Sequence, residues 1–518
     1  MDTPLSTLIQ TRPYVAVALA LALVFFSPLL FSSGHIYRSH RLGKSRLTSL
    51  LTGQRSVRWM IDELAEKGYL EVNKALGKPF VLNWWAQDTL FMPTKYLDDI
   101  RRADAGSLSF FESLSNAFHL KSSVGDLYHT TTMIEVVKRR LNPQLPTIVS
   151  YLVDECDFVL PAELGDAKEW KYYGAMELCS NIMHRVTSRV LVCKELCRKP
   201  AYIKASLDFS NSVFTNGVIM STISLGPFRR LISWLGSFRH RRNLNKAMEL
   251  LIPVIEQRLR DLEQSPNGPR PADGVQWTIE QASSDKKERT PARLAHQILQ
   301  NLWAGSGAPG GMLTQMVYQV LWCPEYLEPM RAEIRTAVTE YGWTDKMLNN
   351  IPKVDSFLRE TNRLHPNGVI TAARTVMEKP YQFHDGLTLP VGARFAFPSR
   401  AIMCDSDNFE NPYEFDGFRF ARLSAAKESA ATGADTGAGE QLYNSATVTK
   451  TNLAFGYGKH ACVGRFYAVR KIKLVFTRLI MEYEIEWDGT VTERPLDFCI
   501  EGQVAPNLEQ KIRIKRRV

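Results

Sequence analysis

No cysteine knuckle, no dense disulfide spacing and no internal repeat occurs in these 518 residues. The eight cysteines stand at 156, 179, 193, 197, 323, 404, 462 and 499; only Cys193 and Cys197 share a helical spacing, and no histidine lies near them in sequence. That distribution excludes a disulfide-stapled scaffold and a zinc ribbon, and seven of the eight fit reduced thiols of a cytosol-facing domain. A compact basic reading helix, a zinc pattern and an aromatic sheet motif are also lacking. The surplus of 64 basic over 54 acidic residues, +10 in all, therefore points to an anionic membrane or an acidic partner and not to nucleic acid.

Long apolar runs are scarce too, with one exception. Tyr14 to Phe31 is almost unbroken apolar text, and at about 1.5 Å per residue it is just long enough to span a bilayer core. Arg38, Arg41, Lys44 and Arg46 follow it, against Asp2 and Arg12 before it. The positive flank stays cytoplasmic, which favours a signal anchor over a cleaved leader. Residues 1–46 are thus expected to form a membrane anchor and basic hinge, and 47–518 one large folded domain.

The chain is organised around Phe455-Gly456-Tyr457-Gly458-Lys459-His460-Ala461-Cys462-Val463-Gly464-Arg465-Phe466-Tyr467-Ala468, after which the text turns helical. Gly456 and Gly458 suit a tight turn with φ > 0, and Gly464 lets backbone amides approach the sulfur. A cysteine at the mouth of a helix is stabilised as thiolate by unpaired N–H groups and the helix dipole. Such a sulfur is a soft ligand for iron.

The pattern F-G-x-G-x-H-x-C-x-G-R-x-x-A resembles the haem-binding signature of the cytochrome P450 family. The resemblance covers the chain from Leu47 onward and is strongest from Val354 to Phe476. It implies a mainly α fold with a small β-sheet region, haem b held by Cys462, and Phe455, Gly458, His460 and Gly464 around the cofactor. Glu360 and Arg363, three apart in Phe357-Leu358-Arg359-Glu360-Thr361-Asn362-Arg363, match the family's E-x-x-R pair, which share one helix face. The resemblance adds Arg419 as their third member, and Arg374 as a propionate partner beside His460. The family's Trp-x-x-x-Arg is absent near His129 and Lys138-Arg139-Arg140, so no ligand is assigned there.

Ala292 to Leu321 matches the family's long oxygen-side helix, and there the pattern breaks. Where the family carries an acid and a threonine that deliver protons for dioxygen activation, Ala304-Gly305-Ser306-Gly307-Ala308-Pro309 has Gly307 and Ala308. A methyl group cannot donate a hydrogen bond. Ser306, a water at carbonyls freed near Pro309, or a substrate hydroxyl are the available substitutes. A helix irregularity kept for packing alone is the other reading.

Elsewhere, Lys78 to Trp85 suits a strand. Phe110, Phe111 and Phe118 are either pocket or core. Phe228 to Arg242 interleaves basic and large apolar residues, as a membrane-surface segment or as a solvated loop. Residues 264–290 have the composition of a polar linker, and 424–447 of a mobile surface insert. Residues 501–507 suit a turn that dips into the pocket. The expected activity is a membrane-anchored monooxygenase acting on a lipophilic small molecule (a terpenoid, alkaloid or related secondary metabolite), as in fungal members that 185–260 resembles. NADPH would supply electrons through a reductase, at the endoplasmic reticulum membrane with the catalytic domain in the cytosol. Rearrangement, dehydration or oxidative coupling is the alternative chemistry, and a non-catalytic haem sensor the alternative class.

Overall fold

The computed structural model describes residues 40–43, 57–104, 106–123, 131–222, 229–282, 287–430 and 442–517. The run at 14–31 and His129 lie outside them. Among the described residues no helix is long and apolar enough to cross a membrane.

The helical body is built around α1 (Leu145–Leu164), α2 (Ala175–Leu191), α3 (Pro200–Thr222), α4 (Phe238–Gln264), α5 (Pro291–Trp322), α6 (Pro352–Leu364) and α7 (Arg465–Glu482). The axis of the fold is α5. Thr290 caps it by accepting from Arg293 N, and Pro291 stands where its missing N–H costs nothing. Its two ends belong to different cores. Leu294, Ala295, Ile298, Leu299 and Leu302 join the cluster made with α3, α4 and the sheet. Met312, Leu313, Met316, Val317, Tyr318 and Val320 join the cluster made with α1, α2, α6 and α7. Between the two, residues 303–311 belong to neither buried cluster.

Two glycines fix how α2 lies on α5. A Cβ at Gly305 would stand 2.7 Å from Leu191 Cδ1, and one at Gly310 3.1 Å from Ser180 Cα. These glycines thus serve close helix packing. Gly307 is different: a Cβ there would meet nothing within 4 Å.

The main sheet comprises β1 (His40–Arg41), β2 (Phe80–Trp84), β3 (Gln87–Phe91), β4 (Leu108–Ser109), β5 (Thr371–Val376) and β6 (Arg394–Phe397), in the order β1-β2-β3-β6-β5-β4. Strands β2 and β3 pair antiparallel from Phe80↔Phe91 to Trp84↔Gln87. In β5 the register against β6 shifts between Thr371 and Arg374, and Ala372 takes φ +53° at the shift. A non-glycine residue in that region costs roughly 1–3 kcal/mol, so surrounding structure must hold it. Three smaller antiparallel sheets complete the fold.

Two expectations from composition change here. Within the stretch expected to be a linker, Gly274–Gln281 is a helix capped by Asp273, which accepts from Gln276 N at 2.9 Å. Its Val275, Trp277 and Ile279 are buried, and those three apolar side chains outweigh the polar text around them. In the expected surface insert, helix Arg419–Ala430 occupies the start, and the end is tied down: Ser445 donates from N and Oγ to buried Asp355, both at 2.8 Å.

Candidate functional site

The loop before α7 is shaped by two glycines. Gly456 and Gly458 take φ +74° and +71°, and a Cβ at Gly458 would stand 3.0 Å from Arg101 Cα. Cys462 N donates to Phe455 O at 2.8 Å and closes the loop; the Phe455 ring is half-buried against the core. Gly464, by contrast, has an ordinary φ of −87° and no neighbour within 4 Å of an added Cβ, so neither backbone strain nor packing of the fold requires glycine there.

Cys462 is the one exposed cysteine of the eight. Its sulfur reaches the surface yet is walled by protein, and that burial raises the thiol pKa; N–H groups of Gly464 and Arg465, with the charge of Arg465, act against it without reversing it. A sulfur met by two backbone amides at the mouth of a helix suits a metal cation that would replace its proton.

A second group of residues lacks an anion. Arg374 is 1% exposed and donates only to carbonyls, Ala373 O at 2.8 Å and Tyr457 O at 2.9 Å, with Phe110 6.0 Å away. Burial alone lowers its pKa to about 10, with no carboxylate acting on it. His460 lies beside the Phe110–Phe111 pair, at ring distances of 6.4 and 6.2 Å. Burial, then Arg374, lowers its pKa to about 4, while a bond to the Leu108 backbone works in the other direction. Its Nε2 is buried without a hydrogen-bond partner. A buried guanidinium with no carboxylate on it calls for an acceptor of negative charge, and the unpaired ring nitrogen can donate to the same anion once the imidazole takes a second proton, which that anion would favour. The carboxylates of a haem would meet that need, and Cys462 would meet the need of its iron.

On α5, Ala304, Gly307 and Ala308 are exposed while Leu302, Ser306, Pro309 and Gly310 are buried. Their i, i+3, i+4 spacing makes one open stripe in an otherwise packed helix. Ser306, 4% exposed, is off that stripe. One turn on, a Cβ at Gly311 would stand 3.0 Å from Asn367 Oδ1 and 3.7 Å from Pro506 Cδ. Val369 N donates to Gly502 O and Val504 N to Asn367 O, both at 2.9 Å, so the segments after Pro366 and around Pro506 close on α5 together. Phe118 packs on Trp85 and Trp303.

Glu360, fully buried, receives Arg363 Nε and Nη2, each at 2.8 Å, then Arg419 Nε and Asp416 N, each at 3.2 Å. The structure thus brings Glu360, Arg363 and Arg419 into one cluster. Cys193 and Cys197 are buried, and no group of three metal-binding side chains occurs among the described residues. Two contributors were not anticipated. Lys473 Nζ binds Asp355 Oδ1 at 3.0 Å and so ties α7 to α6, and Lys471 is entirely buried. The signal available in the sequence was two lysines inside the apolar text of α7.

Comparison with known proteins agrees with this geometry. The family described as Cytochrome P450 matches residues 160–511. The chain is 39% identical to "Cytochrome P450 monooxygenase sirB" of Leptosphaeria maculans, over 95% of this chain and 93% of the relative. It is 30% identical to "Cytochrome P450 monooxygenase ccsG" of Aspergillus clavatus, over 83% of each. It is 27% identical to "Ent-kaurene oxidase P450-4" of Gibberella fujikuroi, over 89% of this chain and 88% of the relative. Among solved structures, "Retinoic acid bound cyanobacterial CYP120A1" has the same fold, with TM-score 0.64, 15% identity, and coverage of 88% and 94%.

Proposed function

Because the chain belongs to the cytochrome P450 family of haem-thiolate monooxygenases, we propose that it oxidises a lipophilic secondary metabolite of terpenoid, alkaloid or related class from the surface of the endoplasmic reticulum. The observation that carries this reading is the one exposed cysteine, met by two backbone amides, beside a buried arginine and a histidine that lack an anion. Haem b, when bound, supplies reductive activation of dioxygen and insertion of one oxygen atom into the substrate.

The chain's own residues would divide the work as follows. Cys462 would hold the haem iron, with the Gly464 and Arg465 amides supporting the negative charge of its sulfur. Arg374 and the Nε2 of His460 bind the propionates, and Phe455, Gly458 and Gly464 shape the bed. Glu360, Arg363 and Arg419 hold the structure behind it. The stripe Ala304, Gly307 and Ala308 offers substrate an open wall with no side chain able to pass a proton; Gly305 and Ser306 contribute backbone and a buried hydroxyl on other sides. Proton delivery would then fall to a water on backbone carbonyls or to a hydroxyl of the substrate. The ent-kaurene oxidases among the relatives support a lipophilic substrate.

Residues 14–31 are proposed as a single-pass anchor, with 47–518 as the haem domain in the cytosol. Helix Arg229–Gly236 supports a membrane-facing surface: Leu231, Trp234, Leu235 and Phe238 are exposed, and Arg239 and Arg242 flank them. Electrons would come from NADPH through a reductase at the basic surface of exposed Arg101, Arg102, Lys138 and Lys459.

The test is turnover of candidate terpenoids and alkaloids with reductase, NADPH and labelled dioxygen. One labelled atom in the product is expected. The missing acid and alcohol at Gly307 and Ala308 favour a second reading, rearrangement, dehydration or coupling, and product without label would establish it instead. A type I spectral shift on adding a lipophilic compound excludes a sensor.

A further inference from the structure

Pro309 has no N–H, so in α5 the carbonyl four residues earlier, Gly305 O, loses its regular helical donor. That carbonyl is not left alone. Lys471 Nζ of α7 donates to it, and Thr187 Oγ1 of α2 lies 3.4 Å from it. Lys471 is wholly buried, and its Nζ also donates to Thr187 Oγ1 at 2.6 Å, while Thr187 Oγ1 itself donates a hydrogen bond to Met183 O. Among the described residues no carboxylate pairs with the amine. The titratable groups around it are Tyr467, whose ring is 4.6 Å from Nζ, Cys462 and His184.

A lysine here is otherwise hard to account for, since a methionine would fill the same volume without a buried amine. Two hydrogen bonds, to Thr187 Oγ1 and Gly305 O, hold the amine where burial disfavours its charge. Burial moves the Lys471 pKa well below its ordinary value.

We propose that Lys471, with Thr187, is a positioning residue that replaces the hydrogen bond deleted by Pro309 and thereby sets the α5 turn that presents Ala304, Gly307 and Ala308 to substrate. The inference rests on the proposal that this stripe lines the pocket. It ties the helix that follows Cys462 to the opposite wall, through a contact that exists because of one proline.

The test is a double-mutant cycle of Lys471→Met and Pro309→Ala in the full-length holoprotein, because Pro309→Ala returns an N–H to Gly305 O. Two readouts are taken: the thermal midpoint by far-ultraviolet circular dichroism, and the spectral affinity for 4-phenylimidazole. Lys471→Met alone should lower the midpoint and weaken the probe roughly tenfold, and in the Pro309→Ala background both effects should shrink to less than about a third. Lys471→Gln, which keeps a donor without a titratable amine, should restore most of the affinity. Equal effects in both backgrounds would overturn the proposal, and so would coupling in the melt without coupling in affinity, which leaves Lys471 structural only. If Lys471→Met does not fold, Thr187→Val replaces it in the same cycle with the same criteria. Haem content of each protein is measured alongside, so that uncoupled effects in haem-loaded proteins reject this inference without touching the role of Cys462.

Discussion

Replacing Glu360 by alanine should be among the most damaging single changes in this protein. The carboxylate is fully buried and takes two bonds of 2.8 Å from Arg363, with Arg419 Nε and Asp416 N at 3.2 Å. Removing it strands the Arg363 guanidinium, itself 3% exposed, and breaking such a pair costs about 3–5 kcal/mol. Arg363→Ala should cost a similar amount. Arg419→Ala should be milder, about 1–2 kcal/mol, because it gives Glu360 one bond while its other nitrogens bind the carbonyls of Glu410, Asn411 and Glu414. Glu360→Ala/Arg363→Ala should cost less than the sum of its parts, since each single change already loses the shared pair. Urea unfolding followed by circular dichroism, with haem content measured in parallel, ranks the four variants. The reasoning fails if Glu360→Ala lies within about 1 kcal/mol of the wild type, or if Arg419→Ala costs as much as Arg363→Ala.

Cys462→Ala and Cys462→His should each abolish the absorbance typical of carbon monoxide on reduced haem-thiolate, and Cys193→Ala should leave it intact; a retained signal in Cys462→Ala would refute the assignment. Arg374→Met combined with His460→Phe should lower haem content while a control Lys459→Met does not, as measured by haem extraction from purified protein. Gly307→Asp/Ala308→Thr supplies an acid and an alcohol where an added Cβ at Gly307 meets nothing; product formed per NADPH should rise and peroxide release fall, by up to the roughly 10²-fold that a positioned proton donor contributes. Tight coupling in the wild type with no gain in that variant would reject the deficient-relay account. Stability should fall on acidification: burial depresses the folded pKa of His184 to about 3 and of His240 to about 4, so both stay neutral when folded while the unfolded chain takes up protons below about 6.5. Each contributes stability above that pH and loses about 1.4 kcal/mol per unit below it, and a thermal midpoint unchanged between pH 7 and pH 5 would contradict this.

The cysteine loop and the Glu360–Arg363 pair were legible because each is written locally, in glycines needed for a turn and in a three-residue helical spacing. The position of Arg419 came only through family resemblance, since nothing in its own neighbourhood marks a partner 59 residues earlier in the chain. The helix Gly274–Gln281 was hidden because three apolar side chains are few against so much polar text, although they are the ones buried. Lys471 and Lys473 were illegible for a different reason. Their partners, Thr187 and Asp355, are 284 and 118 residues away in sequence, and only the crossing of α7 with α2, α5 and α6 brings them together. Gly305 and Gly310 make no room for substrate: the space they leave is filled by α2, and the open wall is made by Ala304, Gly307 and Ala308.

That interlocking of α2 with α5 bears on how such an enzyme can change its taste over time. With Leu191 Cδ1 and Ser180 Cα lying 2.7 and 3.1 Å from where a Cβ at Gly305 and at Gly310 would stand, a side chain at either position would force α2 off α5, so this face cannot be altered to reshape the chamber without repacking the pair. Mutational drift toward new substrates has to pass through parts that are free to move independently: the side chains on the open stripe, and the two segments carrying Asn367 and Pro506 that lean on Gly311. Libraries for altered specificity would be best concentrated at 304, 307, 308, 367 and 506, with 305 and 310 held as glycine.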